Sequence, residues 1–184
     1  MRDVIRVERN ELPPVIPGQL WHVYREIGIK ILQKQADVDT GRIMQWRHAS
    51  KGTGCDLVLP GPGGQGKLGI KITVSSVGSL SVRSKNLLIP AYRLDRPPSP
   101  IYDVVVGVFV VPDAALNPLQ GCRGFAAGFV RLPLDSKTSK IAKKRAGEGI
   151  PNSGKGNTVV IPVRDTLDMK VLLNDMHEIG GVKI

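Results

Sequence analysis

The stretch Tyr102–Val111 constrains the fold more than any other part of the chain. It reads YDVVVGVFVV, and its valine-rich run does not alternate apolar with polar residues. A strand with one face in water alternates, so this run predicts a central strand that is buried on both faces. The chain has 184 residues, 41% of them hydrophobic, which is enough to build a core around such a strand in one domain.

The rest of the chain predicts helices and strands around this central strand. After Pro17 and Gly18, apolar residues fall at positions 20, 23, 24, 27 and 31, the spacing of an amphipathic helix, and the segment 36–41 breaks that pattern. The segment 77–89 fits either strands or a strand with a short helix. The other predicted elements are strands over 43–48, 55–59, 68–74, 124–132 and 158–163, and a closing helix over 164–179.

The order of these elements predicts an α/β fold of the mixed α+β kind. We expect one domain over residues 18–184, with a central mixed β-sheet flanked by helices, preceded by an N-terminal arm over residues 1–17. The 21 glycines and 14 prolines exclude an all-helical bundle. Two cysteines are too few for a disulfide framework or for a four-cysteine zinc site.

The charge of the chain points to an anionic partner. Lys and Arg number 26 against 16 Asp and Glu, a formal net charge of +10. Nucleic acid is the commonest partner of such a chain, although a basic surface that only serves solubility is the alternative. No apolar run approaches the roughly 20 residues that a membrane helix needs, and the first residues lack the apolar core of a signal peptide. We therefore expect a cytoplasmic protein with no membrane partner.

One motif resembles a phosphate-binding loop but lacks its context. The segment Gly61–Lys67 matches G-x-x-x-x-G-K. The motif requires Ser or Thr next, followed by a helix, whereas Leu68 follows here and opens a good strand. Pro62 also removes one amide donor. We interpret the segment as a hairpin turn, and a nucleotide-dependent ligase or kinase that uses Lys67 is the least favoured hypothesis.

The two strands around that turn carry a more informative pair. Asp56 opens one strand and Lys71 lies in the middle of the next. If the strands pair across the turn, a carboxylate and an ammonium group meet at one edge of the sheet. A carboxylate can hold Mg²⁺, and a lysine can orient the attacking water or stabilise the transition state, which is the chemistry of phosphodiester hydrolysis. The alternatives are that Asp56 caps the preceding loop and that Lys71 protects an edge strand.

Together with a helix that bears Glu26, the sequences WRH at 46–48, GCDLVL at 54–59 and GIKIT at 69–73 resemble the PD-(D/E)xK nuclease superfamily. The resemblance covers residues 18–111 and implies a restriction-endonuclease-like fold, shared by many restriction enzymes and archaeal Holliday-junction resolvases. It implies a metal-dependent DNA endonuclease of restriction, recombination or repair that uses Mg²⁺ or Mn²⁺. In it, Asp56 is the metal-binding aspartate, Lys71 the catalytic lysine and Glu26 an additional metal ligand and catalytic residue.

The second half of the family motif is degenerate in this chain. Gly69 occupies the position, two before Lys71, where the family has an acidic residue. Glu26 and Asp103 are the candidates to replace the missing carboxylate. The alternative function is a catalytically inactive nucleic-acid-binding protein on the same scaffold.

Two groups of basic residues suit contact with the phosphates of duplex or branched DNA. One precedes Asp56, and the other lies in a basic, glycine-rich segment over 136–157 that we predict to be flexible. On a helix, positions 137, 140 and 144 would share one face. Only 4% of the residues are aromatic, which argues against base stacking. Dimers are common among enzymes that the chain resembles, so a homodimer is an expectation. The candidate DNA-binding residues are Arg42, Arg47, Lys51, Lys137, Lys140, Lys143, Lys144 and Arg145.

Overall fold

A computed structural model describes residues 4–14, 20–40, 42–44, 47–48, 55–60, 67–77, 86–90, 102–114, 117–146, 158–173 and 181–183. The helices are α1 (Leu20–Thr40) and α2 (Ser136–Ala146). The strands are β1 (Ile5–Val7), β2 (Arg42–Met44), β3 (Arg47–His48), β4 (Leu57–Pro60), β5 (Lys67–Ser76), β6 (Asn86–Pro90), β7 (Tyr102–Ala114), β8 (Asn117–Leu132), β9 (Thr158–Pro162) and β10 (Gly181–Lys183).

The main sheet is mixed and has six strands in the order β1-β8-β7-β5-β4-β3. Strands β5 and β7 run parallel, and the other neighbours are antiparallel. The prediction of a central strand is confirmed, because β7 lies inside the sheet and its residues 104–110 are all buried. Two smaller sheets pair β10 with β2 and β6 with β9. The fold is therefore mixed α+β.

The main sheet is covered on both faces by separate apolar clusters. On the helix face, α1 packs through residues such as Ile27 and Ile31 against Ile70 and Ile72 of β5. On the second face, β6 and β9 pack against residues of β7 and β8. Successive side chains of β7 point to opposite faces of the sheet. Val104 and Val106 therefore belong to the cluster under α1, and Val105 belongs to the cluster on the second face.

Both coverings approach the sheet at a glycine. A Cβ added to Gly28 of α1 would lie 2.6 Å from Cγ2 of both Ile72 and Val74. A Cβ added to Gly107 of β7 would lie 2.0 Å from Cδ2 of Leu87. At both contacts the covering layer and the sheet are so close that a larger residue than glycine would clash: at Gly28 on the helix and at Gly107 on the sheet.

Helix α1 is longer than predicted. The prediction that the segment 36–41 ends the helix is wrong, because α1 continues to Thr40. The last turns are held by the sheet, since Ala36 is fully buried and the Gln35 side chain accepts a hydrogen bond from the backbone N–H of Ala126 at 2.8 Å. Tertiary contacts therefore override the weak helical pattern of this stretch.

Part of the segment predicted to be flexible forms a helix. Residues 136–146 form α2, whose first turn is capped by Asp135. The backbone N–H of Thr138 donates to Asp135 Oδ1 at 2.8 Å, and its hydroxyl donates to Oδ2 at the same distance. Helix α2 packs against β9 on the second face. Residues 147–157 of the predicted segment lie outside the described residues.

The two ends of the chain also differ in detail from the sequence analysis. Within the predicted N-terminal arm, β1 joins the main sheet beside β8 and buries Ile5 and Val7. The closing helix predicted from residue 164 begins later, because Val163–Asp165 is a 3₁₀ turn and Leu167 pairs with Phe129. None of the helices that the structure describes is long and apolar enough to cross a membrane.

Candidate nuclease-like site

The hairpin formed by β4 and β5 brings the two candidate residues to the same level. The strands are antiparallel, as predicted, and their register pairs Leu57 with Ile70 and Val58 with Gly69. The pairing begins at Leu57, and the backbone N–H of the preceding Asp56 bonds the carbonyl of Ile70, so Asp56 lies beside the stretch of β5 that contains Lys71. The loop at 61–66, which includes most of the phosphate-loop motif, lies outside the described residues. The segment that follows it is strand β5 rather than the helix such a motif needs.

Asp56 is buried, with 5% of its surface exposed, and its carboxylate extends the hydrogen bonding of the hairpin. Its backbone N–H donates to the carbonyl of Ile70 at 2.7 Å, while Oδ2 accepts from the backbone N–H of Ile72 at 2.6 Å. The side chain thus takes the place of a backbone carbonyl where β4 begins. Its two hydrogen bonds to β5 therefore reach the residues on either side of Lys71.

The Asp56 carboxylate is also paired with Arg25 of α1. Nε of Arg25 lies 2.8 Å from Oδ1 of Asp56, an ion-pair contact in which the N–H does not point along a hydrogen-bond direction. Nη2 of Arg25 donates to the backbone carbonyl of Asp56 at 3.3 Å. Sequence reasoning missed Arg25. Nothing in the local sequence distinguishes it from an ordinary surface arginine of a helix.

Lys71 lies on the other face of the sheet. It is 2% exposed and is among the largest fully buried side chains of the described residues. Its neighbours Ile70 and Ile72 belong to the helix-face cluster, so the alternation of the strand directs Lys71 to the second face. Its register partner on β7 is Val105, a member of the second cluster. Lysine is rarely buried to this degree, which marks the position as unusual for a core strand.

The position of the missing carboxylate has an aspartate beside it. The parallel register of β5 and β7 pairs Gly69 with Asp103. An acidic residue is therefore adjacent in the sheet to the position where the nuclease family carries its second acid. Only the backbone of Asp103 is described, so this is a statement of register.

Glu26 is not directed to the same place. Helix residues are offset by about 100° each, so Glu26 is turned about 200° away from Gly28, which faces the sheet. The residue of α1 that reaches Asp56 is Arg25. Within the ranges that the structure describes, no group of three or more His, Cys, Asp or Glu residues is arranged to hold a metal ion.

The cysteines do not supply an alternative nucleophile. Cys55 and Cys122 are both buried and unpaired with each other. Burial, together with the nearby carboxylate of Asp113, raises the pKa of the Cys122 thiol to about 11. A thiol in this state stays protonated at neutral pH and is inert.

The predicted DNA-binding residues are described only in part. Lys137 and Lys140 are exposed on α2, and they share the solvent-facing side of a helix that covers the second face. Arg42 and Arg47 belong to the short strands β2 and β3, and no side chain is described for them. Lys51 and the side chains of Lys143, Lys144 and Arg145 also lie outside the described residues.

Comparison of the chain with protein-family models, with curated proteins and with solved structures found no match.

Proposed function

We propose that the protein is a metal-dependent DNA endonuclease with a restriction-endonuclease-like fold, acting on duplex or branched DNA in the cytoplasm. The observation that carries the proposal is the position of the buried Asp56 carboxylate beside the part of β5 that contains Lys71. The backbone N–H of Asp56 donates to Ile70 and its Oδ2 accepts from the N–H of Ile72, the residues on either side of Lys71.

The arrangement of the sheet supports the fold part of the proposal. The helix with Glu26, the three antiparallel strands β3, β4 and β5, and the later strand β7 are the elements on which the resemblance was based. Four of them are consecutive strands of one sheet, and the fifth packs on it. Gly69 lacks the carboxylate that the nuclease family has at this position. Asp103, which pairs with Gly69 in the register of β5 and β7, is the candidate to replace it.

In this proposal Asp56 would supply one carboxylate ligand for Mg²⁺ or Mn²⁺, and the described residues around it form no complete set of metal ligands. Its carboxylate is the hard oxygen donor that these ions prefer. The Arg25 guanidinium lies against Oδ1, so a divalent ion at this oxygen would have to displace it. A bound divalent ion would lower the pKa of its water and neutralise charge on the phosphate.

The chain's own groups have separate tasks in this proposal. Ile72 holds the Asp56 carboxylate through Oδ2, which fixes its orientation. We assign to Lys71 the positive charge that stabilises the pentacoordinate phosphate, which requires its buried ammonium group to reach the Asp56 carboxylate from the second face of the sheet. Lys137 and Lys140 would hold the DNA backbone, whose binding is expected to weaken steeply with salt.

A second candidate is a nucleic-acid-binding protein without catalysis. The specific observation in its favour is that Asp56 is already ion-paired with Arg25 while Gly69 has no carboxylate. In this case Asp56 ties α1 to the sheet and Lys71 has no chemical role. The basic surface on α2 alone would then account for the function.

Cleavage assays on labelled duplex and four-way-junction DNA, with Mg²⁺ and with Mn²⁺, separate the two candidates. We expect cleavage by the wild type, and a fall of about 100-fold or more in Asp56→Asn and Lys71→Met, each isosteric or nearly so. Lys34→Gln, which removes an equivalent charge from α1, is the matched control. Salt-sensitive binding without cleavage by the folded wild type in either metal would favour the second candidate.

A further inference from the structure

The margin of the main sheet, where β1 pairs with β8, carries two arginines directly opposite each other. The antiparallel register pairs Arg6 with Arg123, and each side chain is 54% exposed. Like charges at facing positions of two strands repel each other. The stability of this strand pair therefore does not explain why both positions are arginine.

The carboxylate of Asp113 lies between the two guanidinium groups. Its Oδ2 is 3.1 Å from Nη2 of Arg6, and its Oδ1 is 3.5 Å from Nε of Arg123. Gly121, whose φ of 108° favours glycine, lets this carboxylate lie against the backbone, since a Cβ there would be 3.0 Å from Oδ2. One carboxylate thus holds two cations in position and neutralises only one of them.

An open surface groove of about 560 Å³ continues from this arginine pair. Its described lining consists of Glu8, Arg9 and Asn10. Glu8 joins the groove to the pair, because its carboxylate contacts Nε of Arg6. Arg9 forms no ion pair within the part of the chain that the structure describes. Three arginines against two carboxylates leave one positive charge in this margin cluster, which comprises Arg6, Glu8, Arg9, Asp113 and Arg123.

The arginine pair is on the same side of the main sheet as α2. The strand neighbours of the two arginines, Ile5, Val7 and Cys122, belong to the cluster under α1. Alternation therefore directs the arginine pair to the second face. Helix α2 covers that face through β9, and its Lys137 and Lys140 are exposed. Two basic groups thus lie on one side of the sheet, opposite to α1.

A phosphate backbone is the ligand that fits the margin cluster. The planar fork of an arginine binds phosphate through two parallel hydrogen bonds, and the surplus positive charge favours an anion. The groove is open at the surface, so a ligand in it continues beyond it, as a polymer does. The cluster is also remote from Asp56. Asp113 is seven residues further along β7 than Val106, the partner of Ile72, which is roughly 20 Å along the sheet.

We propose that the margin cluster binds the phosphate backbone of nucleic acid, independently of base sequence, as a second contact besides α2. The inference rests on the proposed function for its partner, duplex or branched DNA. Arg6 and Arg123 donate to phosphate oxygens, and Asp113 is a positioning residue that orients both guanidinium groups. A duplex rises about 3.4 Å per base pair, so about six base pairs span the distance between the cluster and the Asp56 region.

Binding of a fluorescein-labelled duplex of about 20 base pairs to the full chain, followed by fluorescence anisotropy, tests the proposal. EDTA in the buffer removes divalent ions, so that binding is measured without cleavage. We expect Arg6→Gln with Arg123→Gln to bind about tenfold more weakly than the wild type at about 0.1 M salt. The slope of log affinity against log salt should become smaller by about 2, equally for duplexes of unrelated sequence.

The matched control removes two positive charges from the side of the molecule that carries α1. Lys30 belongs to α1, and Lys170 follows Met169, a member of the cluster under α1. Lys30→Gln with Lys170→Gln lowers the net charge equally and is expected to bind within about twofold of the wild type. Circular dichroism shows whether each variant is folded. The proposal is overturned if the folded arginine double variant binds no more weakly than this control.

Should the arginine double variant fail to fold, the wild type provides the second measurement. The ¹⁵N resonance of Arg123 Nε, assigned through its loss in Arg123→Lys, is expected to shift as the duplex saturates the protein. An unchanged resonance, or no binding of the duplex, overturns the proposal. So does a shift with inorganic phosphate but not with the duplex, or equally strong binding of a labelled oligoglutamate that depends on the same two arginines.

The two proposals fail separately. A wild type that cleaves DNA while the arginine double variant binds as the control does contradicts only the role of the margin cluster. Duplex binding that depends on Arg6 and Arg123, without cleavage in Mg²⁺ or Mn²⁺, contradicts only the endonuclease proposal.

Discussion

The two faces of β5 are equally buried but carry different chemistry. On the helix face, Ile70 and Ile72 pack under α1, and nothing beyond close packing is needed to explain them. On the second face, the same strand carries Gly69, Lys71 and Thr73, whose hydroxyl donates to the carbonyl of Leu88 at 2.8 Å. Lys71 is the unusual residue of this face, because lysine is rarely buried to this degree in a folded protein.

The difference teaches where to look for function in this molecule. Both faces carry an apolar cluster, but only on the second face does β5 add a buried lysine to it. Asp56 lies between the two, because it continues the hairpin and contacts the helix through Arg25. Three pairs of variants would test this contrast.

The largest effect on stability is expected from removing the Asp56 carboxylate. Asp56→Ala leaves the charge of Arg25 and the N–H of Ile72 without this partner, and we expect a loss of about 3 kcal/mol. Glu11→Ala breaks the more exposed pair with Lys34 and should cost about 1 kcal/mol or less. Urea unfolding of both variants measures the two values. Equal losses of unfolding free energy in the two variants would show that the buried contacts of Asp56 stabilise the protein no more than the exposed pair of Glu11 and Lys34 does.

A smaller effect is expected where each covering layer touches a glycine. Gly107→Ala places a Cβ against the buried side chain of Leu87, and overpacking of this kind costs about 2 kcal/mol. Gly28→Ala meets Ile72 and Val74, but its loss is offset in part by the better helix propensity of alanine, so about 1 kcal/mol is expected. Thermal unfolding distinguishes them. A neutral Gly107→Ala would mean that the second face is loosely packed, against the contrast drawn above.

The smallest effect is expected at the start of α2. Asp135→Ala removes the cap on Thr138 and should cost about 1 kcal/mol, whereas Asp135→Asn keeps an acceptor and should cost less. Hydrogen bonds from Thr138 lower the pKa of Asp135, so the carboxylate stabilises the fold above its unfolded pKa of about 3.9. That contribution is lost as the pH falls through the lowered, folded value. Unfolding at pH 7 and pH 3 checks this, and a cap whose effect grows on acidification would contradict it.

Local patterns explain what could be predicted from the sequence. The valine run of β7, the apolar spacing of α1 and the antiparallel pairing of β4 with β5 all follow from short stretches of sequence, and each is confirmed. Composition was misleading over 136–146, because the many lysines obscured the Asp135 cap that starts α2.

Pairing between distant elements could not be predicted in the same way. Arg25 lies 31 positions before Asp56, and nothing in the spacing of α1 distinguishes it from an ordinary surface arginine. The register that sets Asp103 beside Gly69 follows from parallel pairing of β5 with β7, which no local pattern specifies. Nor does any local pattern specify that α1 packs on the sheet with Glu26 turned away from Asp56.

The pairing of β1 with β8 has a consequence for how the molecule is made. Ile5 is opposite Gly124, about 120 residues later in the chain, and contacts this far apart close slowly. Strand β1 therefore waits without its partner during translation until β8 has been made. Until then β1 is open to pairing with another chain, and removal of β1 would leave the edge of β8 uncovered.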